Sequence, residues 1–197
     1  GKTLCGGCIH AVEPGKDGQI LCPFCRTPEH ATDGEYIERI MKRIDANDVN
    51  AIYNLGCYYH YGSYDLQRNR RKAMKLWLRA GDLGHAGAYH NIGYAHSNGQ
   101  GVGRDMKKAK YYYELAAIGG NVAARCNLGI LEERTGDRDR AVKHWMISAA
   151  AGHDDSLKEI QECFMDGHAT KDDFEKALRA HKDATDEMKS DQRDAAA

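Results

Sequence analysis

The sequence has no proline after Pro28: its three prolines, Pro14, Pro23 and Pro28, all lie in the first 28 of 197 residues. It also lacks long apolar runs and an excess of charge of one sign, since 28 Lys and Arg are balanced by 29 Asp and Glu. Crossing a bilayer takes about 18 to 20 apolar residues in a row, and nucleic-acid or membrane-surface binding favours a basic excess. We therefore expect no nucleic-acid partner and no membrane partner.

These absences lead us to expect a cytoplasmic or nuclear protein. Because the sequence begins with Gly1, signals upstream of that residue would not be visible. Hydrophobic residues make up 42% of the chain, enough for a buried core. Proline breaks helices and none follows Pro28, whereas the helix-favouring residues Ala, Glu, Lys, Leu and Arg are frequent there, so the segment after residue 29 is predicted to be almost wholly helical.

The first 30 residues contain four of the seven cysteines, arranged as Cys5-x-x-Cys8 and Cys22-x-x-Cys25. About 30 residues cannot bury a self-sufficient core without a covalent or metal cross-link. Two Cys-x-x-Cys pairs can supply the four thiolates of a tetrahedral Zn²⁺ site. The alternatives are two disulfides, which need an oxidising compartment, or four unbound thiols. We predict a zinc-binding module over residues 1–30.

The motif Cys22-Pro-Phe-Cys25-Arg26, following Cys5-x-x-Cys8, resembles the second half of a RING finger over residues 1 to 28. A RING finger has four ligand pairs that bind two zinc ions in a cross-brace. The resemblance leaves two arrangements open: one ion held by all four cysteines, or two ions that take further ligands from upstream. It also implies that Arg26 bridges a ubiquitin-conjugating enzyme and its ubiquitin, and that Pro23 lines the groove of that enzyme.

A single amphipathic helix is predicted between the two parts of the chain. Thr32 followed by Glu35 is typical of a capping box at a helix N-terminus. Apolar residues then follow at helical spacing: Ile37, Ile40, Met41 and Ile44. We predict a helix from Asp33 to Asp45 and assign residues 31–47 to a connector or capping helix.

Residues 48–185 repeat a pattern of small, apolar and aromatic residues. One signature begins with a small residue and ends near glycine: Ala51 to Gly56, Ala88 to Gly93, Ala124 to Gly129, and a fainter Ser156 to Gln161. A second places alanine four residues before an aromatic or histidine: Ala73 and Trp77, Ala109 and Tyr113, Ala141 and Trp145, Ala177 and His181. The repeats predict about four helical hairpins that stack to bury their apolar faces. We therefore expect an all-α fold, a right-handed α-solenoid.

The second unit, from Ala88 through Gly101-Val102 to Gly120, resembles the Sel1-like repeat, a relative of the tetratricopeptide repeat. The resemblance covers residues 48–185 and implies a scaffold that binds other proteins or peptides. The first helices of the hairpins are expected to line its concave face. Residues 186–197 are polar and are predicted to form a frayed tail.

All 11 tyrosines lie between Tyr36 and Tyr113, and Tyr58, Tyr59, Tyr61 and Tyr64 surround the end of one predicted helix. Tyrosine combines apolar area with a polar tip and is enriched where proteins meet. These four are candidate partner-binding residues. The alternative is that they pack between helices.

No set of titratable residues has the spacing of a catalytic centre, so we assign no catalytic residue. His85, His90 and His96 are five and six residues apart and would lie on different faces of a helix. Two functions follow. The first is an adaptor whose repeats bind a protein partner beside an N-terminal zinc module. The second is a RING-type ubiquitin-ligase subunit in which the repeats recruit substrate, which requires a complete RING.

Overall fold

The computed structural model describes residues 32–194, and within them the chain forms nine helices and no strand. They are α1 (Asp33–Asp45), α2 (Val49–Tyr61), α3 (Arg70–Asp82), α4 (Ala86–Asn98), α5 (Met106–Ile118), α6 (Val122–Arg134), α7 (Arg138–Ala149), α8 (Asp154–Met165) and α9 (Lys171–Asp194). The all-α prediction is confirmed for these residues. The chain divides into two compact units, Gly1–Leu76 and Trp77–Ala197.

In the first unit, α1 occupies the predicted range. The hydroxyl of Thr32 accepts a hydrogen bond from the backbone N–H of Glu35 at 3.2 Å, which caps the helix as the sequence predicted. Ile40 and Ile44 are buried, whereas Met41 is 46% exposed and lies at the edge of the apolar stripe. The guanidinium of Arg43 pairs with the carboxylate of Asp48 at 2.7 Å and so links the end of α1 to the N-cap of α2.

The predicted repeat register is visible in the burial of its small residues. The small residue that opens the signature in each first helix is fully buried: Ala51, Ala88, Ala124 and Ser156. The alanine of each second helix is buried too: Ala73, Ala109, Ala141 and Ala177. The aromatic residue four positions later is buried in three of the four repeats, at Trp77, Tyr113 and Trp145. Four copies of one helical pair therefore recur along the chain.

Each first helix begins at a side chain that caps its N-terminus. The acceptor is a carboxylate at Asp48, an amide oxygen at Asn121, and an imidazole Nδ1 at His85 and His153. The Nδ1 of His85, for example, accepts from the N–H of Ala88 at 3.2 Å. Histidine can cap in this way only while that nitrogen is unprotonated.

In the second unit, small and large residues interlock between neighbouring helices. A Cβ atom on Gly93 of α4 would lie 2.7 Å from Cδ1 of Tyr113 on α5. A Cβ atom on Gly129 of α6 would likewise overlap the indole of Trp145 on α7, whose Nε1–H donates to the carbonyl of Cys126 at 3.2 Å. At both positions the repeat glycine therefore allows close approach of an aromatic ring from the paired helix.

The C-terminal end differs from the prediction. Residues after Asp186 were expected to fray, but α9 continues to Asp194. Met188 explains part of the difference, because its Cε would lie 2.6 Å from a Cβ on Gly152, in the turn between α7 and α8. An apolar side chain thus anchors helical turns that otherwise contain only polar residues. None of the described helices is long and apolar enough to span a membrane.

Candidate protein-interaction surface

The predicted site residues fall into two groups. Cys5, Cys8, Cys22 and Cys25, with Pro23 and Arg26, lie outside the described residues. The four candidate tyrosines lie on α2 and in the loop that follows it. Among residues 32–194, no three His, Cys, Asp or Glu side chains converge to hold a metal ion.

Tyr58 and Tyr64 pack against a third tyrosine, Tyr36 of α1. The hydroxyls of Tyr36 and Tyr58 are 2.7 Å apart and share a hydrogen bond. The ring of Tyr64 lies 4.4 Å from that of Tyr36 and 4.6 Å from that of Tyr58, centroid to centroid. Burial raises the pKa of Tyr58, and its hydrogen bond with Tyr36 raises it further. These three half-buried rings form a cluster that joins α1 to the end of α2 and the loop after it.

The backbone of the α2–α3 loop places the Tyr64 ring in this cluster. Tyr64 and Asp65 both have a left-handed conformation, with φ of 57° and 56°. A non-glycine residue pays about 1 to 2 kcal/mol for this conformation. Packing of the Tyr64 ring compensates that cost at residue 64. The sequence did not show that this loop positions a ring.

The other two candidates, Tyr59 and Tyr61, lie outside this cluster of three rings. The ammonium of Lys72, in the first turn of α3, lies 5.0 Å from the ring centroid of Tyr59, within cation–π distance. Tyr61 is 73% exposed and makes an edge contact with the ring of His60 at 4.8 Å. Of the four candidates, Tyr61 is therefore the side chain most open to a partner. Its role in binding stays a prediction.

A charged cluster in the second unit was missed by sequence reasoning. Glu132 of α6 is a buried carboxylate, with 4% of its side chain exposed. Its Oε1 lies 2.7 Å from Nζ of Lys110 on α5 and 3.2 Å from Nη2 of Arg140 on α7. One carboxylate thus links three helices.

The repeat register offered a signal for this cluster. The third residue after the repeat glycine is Tyr59 in the first repeat and Glu132 in the third repeat. The residue before the signature alanine is Lys72 in the first repeat and Arg140 in the third. The side chains at these two positions contact each other in both repeats, once as a cation–π contact and once as an ion pair. The position before the signature alanine therefore carries a cation in both repeats.

The three cysteines of the described helices differ in burial. Cys126 and Cys163 are buried, and burial raises the pKa of both thiols. A thiol with a raised pKa is a poor nucleophile at neutral pH. Cys57 is half-buried.

The described helices match a known repeat. A family model for the Sel1 repeat matches residues 49–85 and 86–121. Residues 49–121 of this chain are thus similar to two consecutive Sel1 repeats. The first repeat covers α2 and α3, and the second covers α4 and α5. Residues 122–185 lie outside the match but keep the same pattern of buried small residues.

A curated relative and two solved structures are similar to this chain. The ERAD-associated E3 ubiquitin-protein ligase component HRD3B of Arabidopsis thaliana is 28% identical over 95 residues, which make up 48% of this chain and 15% of that protein. The c5321 antigen of uropathogenic Escherichia coli, described as having an SLR fold, aligns with a TM-score of 0.67 at 24% identity, over 77% of this chain and 33% of that one. A Sel1 repeat protein from Oxalobacter formigenes aligns with a TM-score of 0.67 at 22% identity, over 80% and 66%.

These similarities differ in what they support. At identities of 24% and 22%, the two solved structures show the fold alone. The match to HRD3B covers only a small part of that longer protein, 15% of its length. These similarities therefore establish the helical repeat fold of this chain. They do not assign the activity of HRD3B to it.

Proposed function

We propose that this protein is an adaptor that binds another protein through its Sel1 repeats. The observation that carries the proposal is the pair of consecutive Sel1 repeats at residues 49–121, since proteins built from this repeat generally bind other proteins. We propose that the hairpins stack as a right-handed solenoid and that the partner lies on a concave face formed by the first helices. Tyr61, at the end of the first helix α2, is the contact residue we favour.

Photo-crosslinking in cells tests this proposal. A benzoylphenylalanine placed at Tyr61 should crosslink to a defined protein, because the side chain is 73% exposed. The control position is Leu178, a large side chain that is 47% exposed and lies on α9, the second helix of the fourth repeat. Crosslinks of equal yield and identity at both positions would contradict a partner site on the first helices.

We propose further that Cys5, Cys8, Cys22 and Cys25 bind Zn²⁺. The donor set supports this, because four thiolates in two Cys-x-x-Cys pairs match the ligands of structural zinc sites. Native mass spectrometry of the full chain should show zinc that is lost in the Cys22→Ser/Cys25→Ser variant. The helical circular-dichroism signal should persist in that variant, since the described helices include none of these cysteines. One tightly held ion would support a single closed site, and loosely held metal would support half of a cross-brace.

The second candidate function is that of a ubiquitin-ligase subunit. The similarity of 95 residues to HRD3B, a ligase component by name, favours it. In this case the repeats would recruit substrate, and Pro23 and Arg26 would contact a charged ubiquitin-conjugating enzyme. The full chain should then accelerate discharge of ubiquitin from that enzyme, and Arg26→Ala should abolish the acceleration. Equal discharge with and without the chain would exclude direct ligase activity of this chain.

The site of action is proposed to be the cytoplasm or nucleus. Fluorescence microscopy of the tagged native protein checks this. A signal confined to the secretory pathway would contradict it, and would also favour disulfides over zinc at the four cysteines.

A further inference from the structure

We propose that Lys110, Arg125, Arg140 and His144 form a second binding site, which takes an acidic segment of a protein partner. The four residues lie on α5, α6 and α7 of the second unit. The inference rests on the proposed adaptor function. It adds a partner chemistry and a surface that includes the second helices of the hairpins.

The ion pairs of Glu132 leave positive charge in excess. Two cations, Lys110 and Arg140, contact the same carboxylate oxygen, at 2.7 and 3.2 Å. The carboxylate is 4% exposed, but Lys110 and Arg140 are 37% and 55% exposed. Asp137 forms a looser ion pair with Arg140, 3.9 Å from its Nε, so the excess of positive charge in this group also depends on Arg125. The buried anion therefore fixes two cationic side chains whose outer parts remain open to solvent.

Arg125 and His144 enlarge this positive region. Arg125 donates to the carbonyl of Ala117 at 3.4 Å, which holds its guanidinium at the C-terminal end of α5. The Nδ1 of His144 is buried and has no hydrogen-bond partner among the described residues. Burial lowers the pKa of His144, and the charges of Arg125, Arg140 and Lys110 lower it further, whereas Glu132 raises it. The positive charges thus outweigh the one carboxylate at the imidazole.

Charge complementarity identifies the partner as acidic. Guanidinium groups bind carboxylates through two parallel hydrogen bonds, and a lysine ammonium adds a point charge. The three cations come from three different helices, so a chain of several carboxylates can contact more of them than one small anion can. Lys107, one turn before Lys110 on α5, is exposed and extends the positive surface along that helix.

Binding of labelled octaglutamate to the full chain tests the proposal, with octaglutamine as the neutral control. Fluorescence anisotropy at low ionic strength should show saturable binding of octaglutamate that weakens with added salt. Arg140→Gln should weaken binding by about tenfold, as expected for loss of a charge-assisted hydrogen bond. Lys110 still pairs with Glu132 in this variant, which keeps the fold intact.

Lys143→Gln is the matched control, because it removes the same charge from an exposed position on the same helix. It should weaken binding less than about threefold, as expected for an exposed charge outside the cluster. Equal losses in Arg140→Gln and Lys143→Gln would show diffuse attraction and overturn the proposed site. Octaglutamine binding as tightly as octaglutamate, or a single-stranded oligonucleotide binding more tightly, would also overturn it.

The pH dependence of octaglutamate binding, which reports on the His144 imidazole, is a second test of the site. An anion beside His144 favours its protonation, so octaglutamate should bind more tightly at pH 6 than at pH 7.5, a range in which the peptide stays ionised. The groups that face His144 are Lys110, Arg125, Glu132 and Arg140. His144→Gln should abolish this pH dependence, and its persistence would contradict the site. Failure here together with specific crosslinks at Tyr61 would leave the adaptor function standing.

Discussion

Gly93 lies directly against the ring of Tyr113: a Cβ atom on residue 93 would be 2.7 Å from Cδ1 of the tyrosine. Burial raises the pKa of Tyr113 to about 12. The pair joins α4 to α5 within one helical hairpin, and Gly129 with Trp145 repeats the arrangement in the next hairpin. A glycine in the middle of a helix therefore has a packing role that compensates its poor helix propensity.

Adding one methyl group at this contact should destabilise the protein. In Gly93→Ala, helix propensity gains about 1 kcal/mol, but the Tyr113 ring must move, and overpacking costs about 1 to 3 kcal/mol. We expect a net loss of up to about 2 kcal/mol, or a melting temperature lower by several degrees. Thermal unfolding followed by circular dichroism measures it.

Gly103→Ala is the matched control. No atom lies within 4 Å of a Cβ built at Gly103. Its melting temperature should stay within error of the wild type. A Gly93→Ala variant as stable as Gly103→Ala would refute the proposed close packing.

Stability should fall as the pH drops below about 6.5, the ordinary pKa of histidine. Burial lowers the pKa values of His85, His90 and His144 in the folded protein. Between the lowered folded value and 6.5, the unfolded chain binds more protons, so protonation favours unfolding. The stabilisation is complete above pH 6.5 and declines below it. Melting temperatures at pH 7.5 and 5.5 should differ by a few degrees.

The His85→Asn variant separates the helix-capping role of His85 from the protonation of its imidazole. Asparagine caps the equivalent position at Asn121, where its Oδ1 accepts from the N–H of Ala124 at 2.8 Å. The variant should keep its melting temperature at pH 7.5 and lose less of it at pH 5.5 than the wild type. An unchanged loss between the two pH values would show that His85 contributes nothing to the pH dependence.

Two neighbouring substitutions in the α2–α3 loop should have opposite effects. Asp65 is exposed and has φ of 56°, so Asp65→Gly should stabilise the protein by up to about 1 kcal/mol. Tyr64→Gly relieves the same conformation but removes the ring that packs on Tyr36 and Tyr58, and should destabilise it. Chemical denaturation measures both. Stabilisation by Tyr64→Gly would mean that the ring cluster contributes little.

The buried carboxylate of Glu132 should depend on its two cations. Lys110→Met/Arg140→Met leaves that carboxylate buried and unpaired, which should cost about 3 kcal/mol or more. Adding Glu132→Gln should restore a large part of the loss, because the buried charge is then gone. Denaturation of the double and triple variants completes the comparison. A triple variant less stable than the double variant would contradict an unpaired charge as the cause.

The repeat fold was predictable because its signal is periodic. Ala51, Ala88 and Ala124 mark equivalent buried positions, and the matched glycines and aromatics are explained by steric contact alone. The extent of α9 was missed, since one apolar residue, Met188, anchors turns of polar sequence.

The candidate surfaces were less predictable, because they depend on long-range contacts. The sequence placed Tyr58, Tyr61 and Tyr64 in one group, but contact with Tyr36 turns two of them inward and leaves Tyr61 exposed. Glu132 forms ion pairs with Lys110 and Arg140 only because α5, α6 and α7 pack together. Spacing along one helix contains no information of that kind.

The affinity of the reconstituted complex tests the adaptor function most directly. The protein captured at Tyr61 is purified, and its dissociation constant for the full chain is measured by isothermal titration calorimetry. We predict a saturable complex that Tyr61→Ala weakens by about tenfold, as for a tyrosine at the centre of an interface, and that Leu178→Ala leaves unchanged. No measurable complex, or equal weakening by both substitutions, would contradict binding through the first Sel1 repeat.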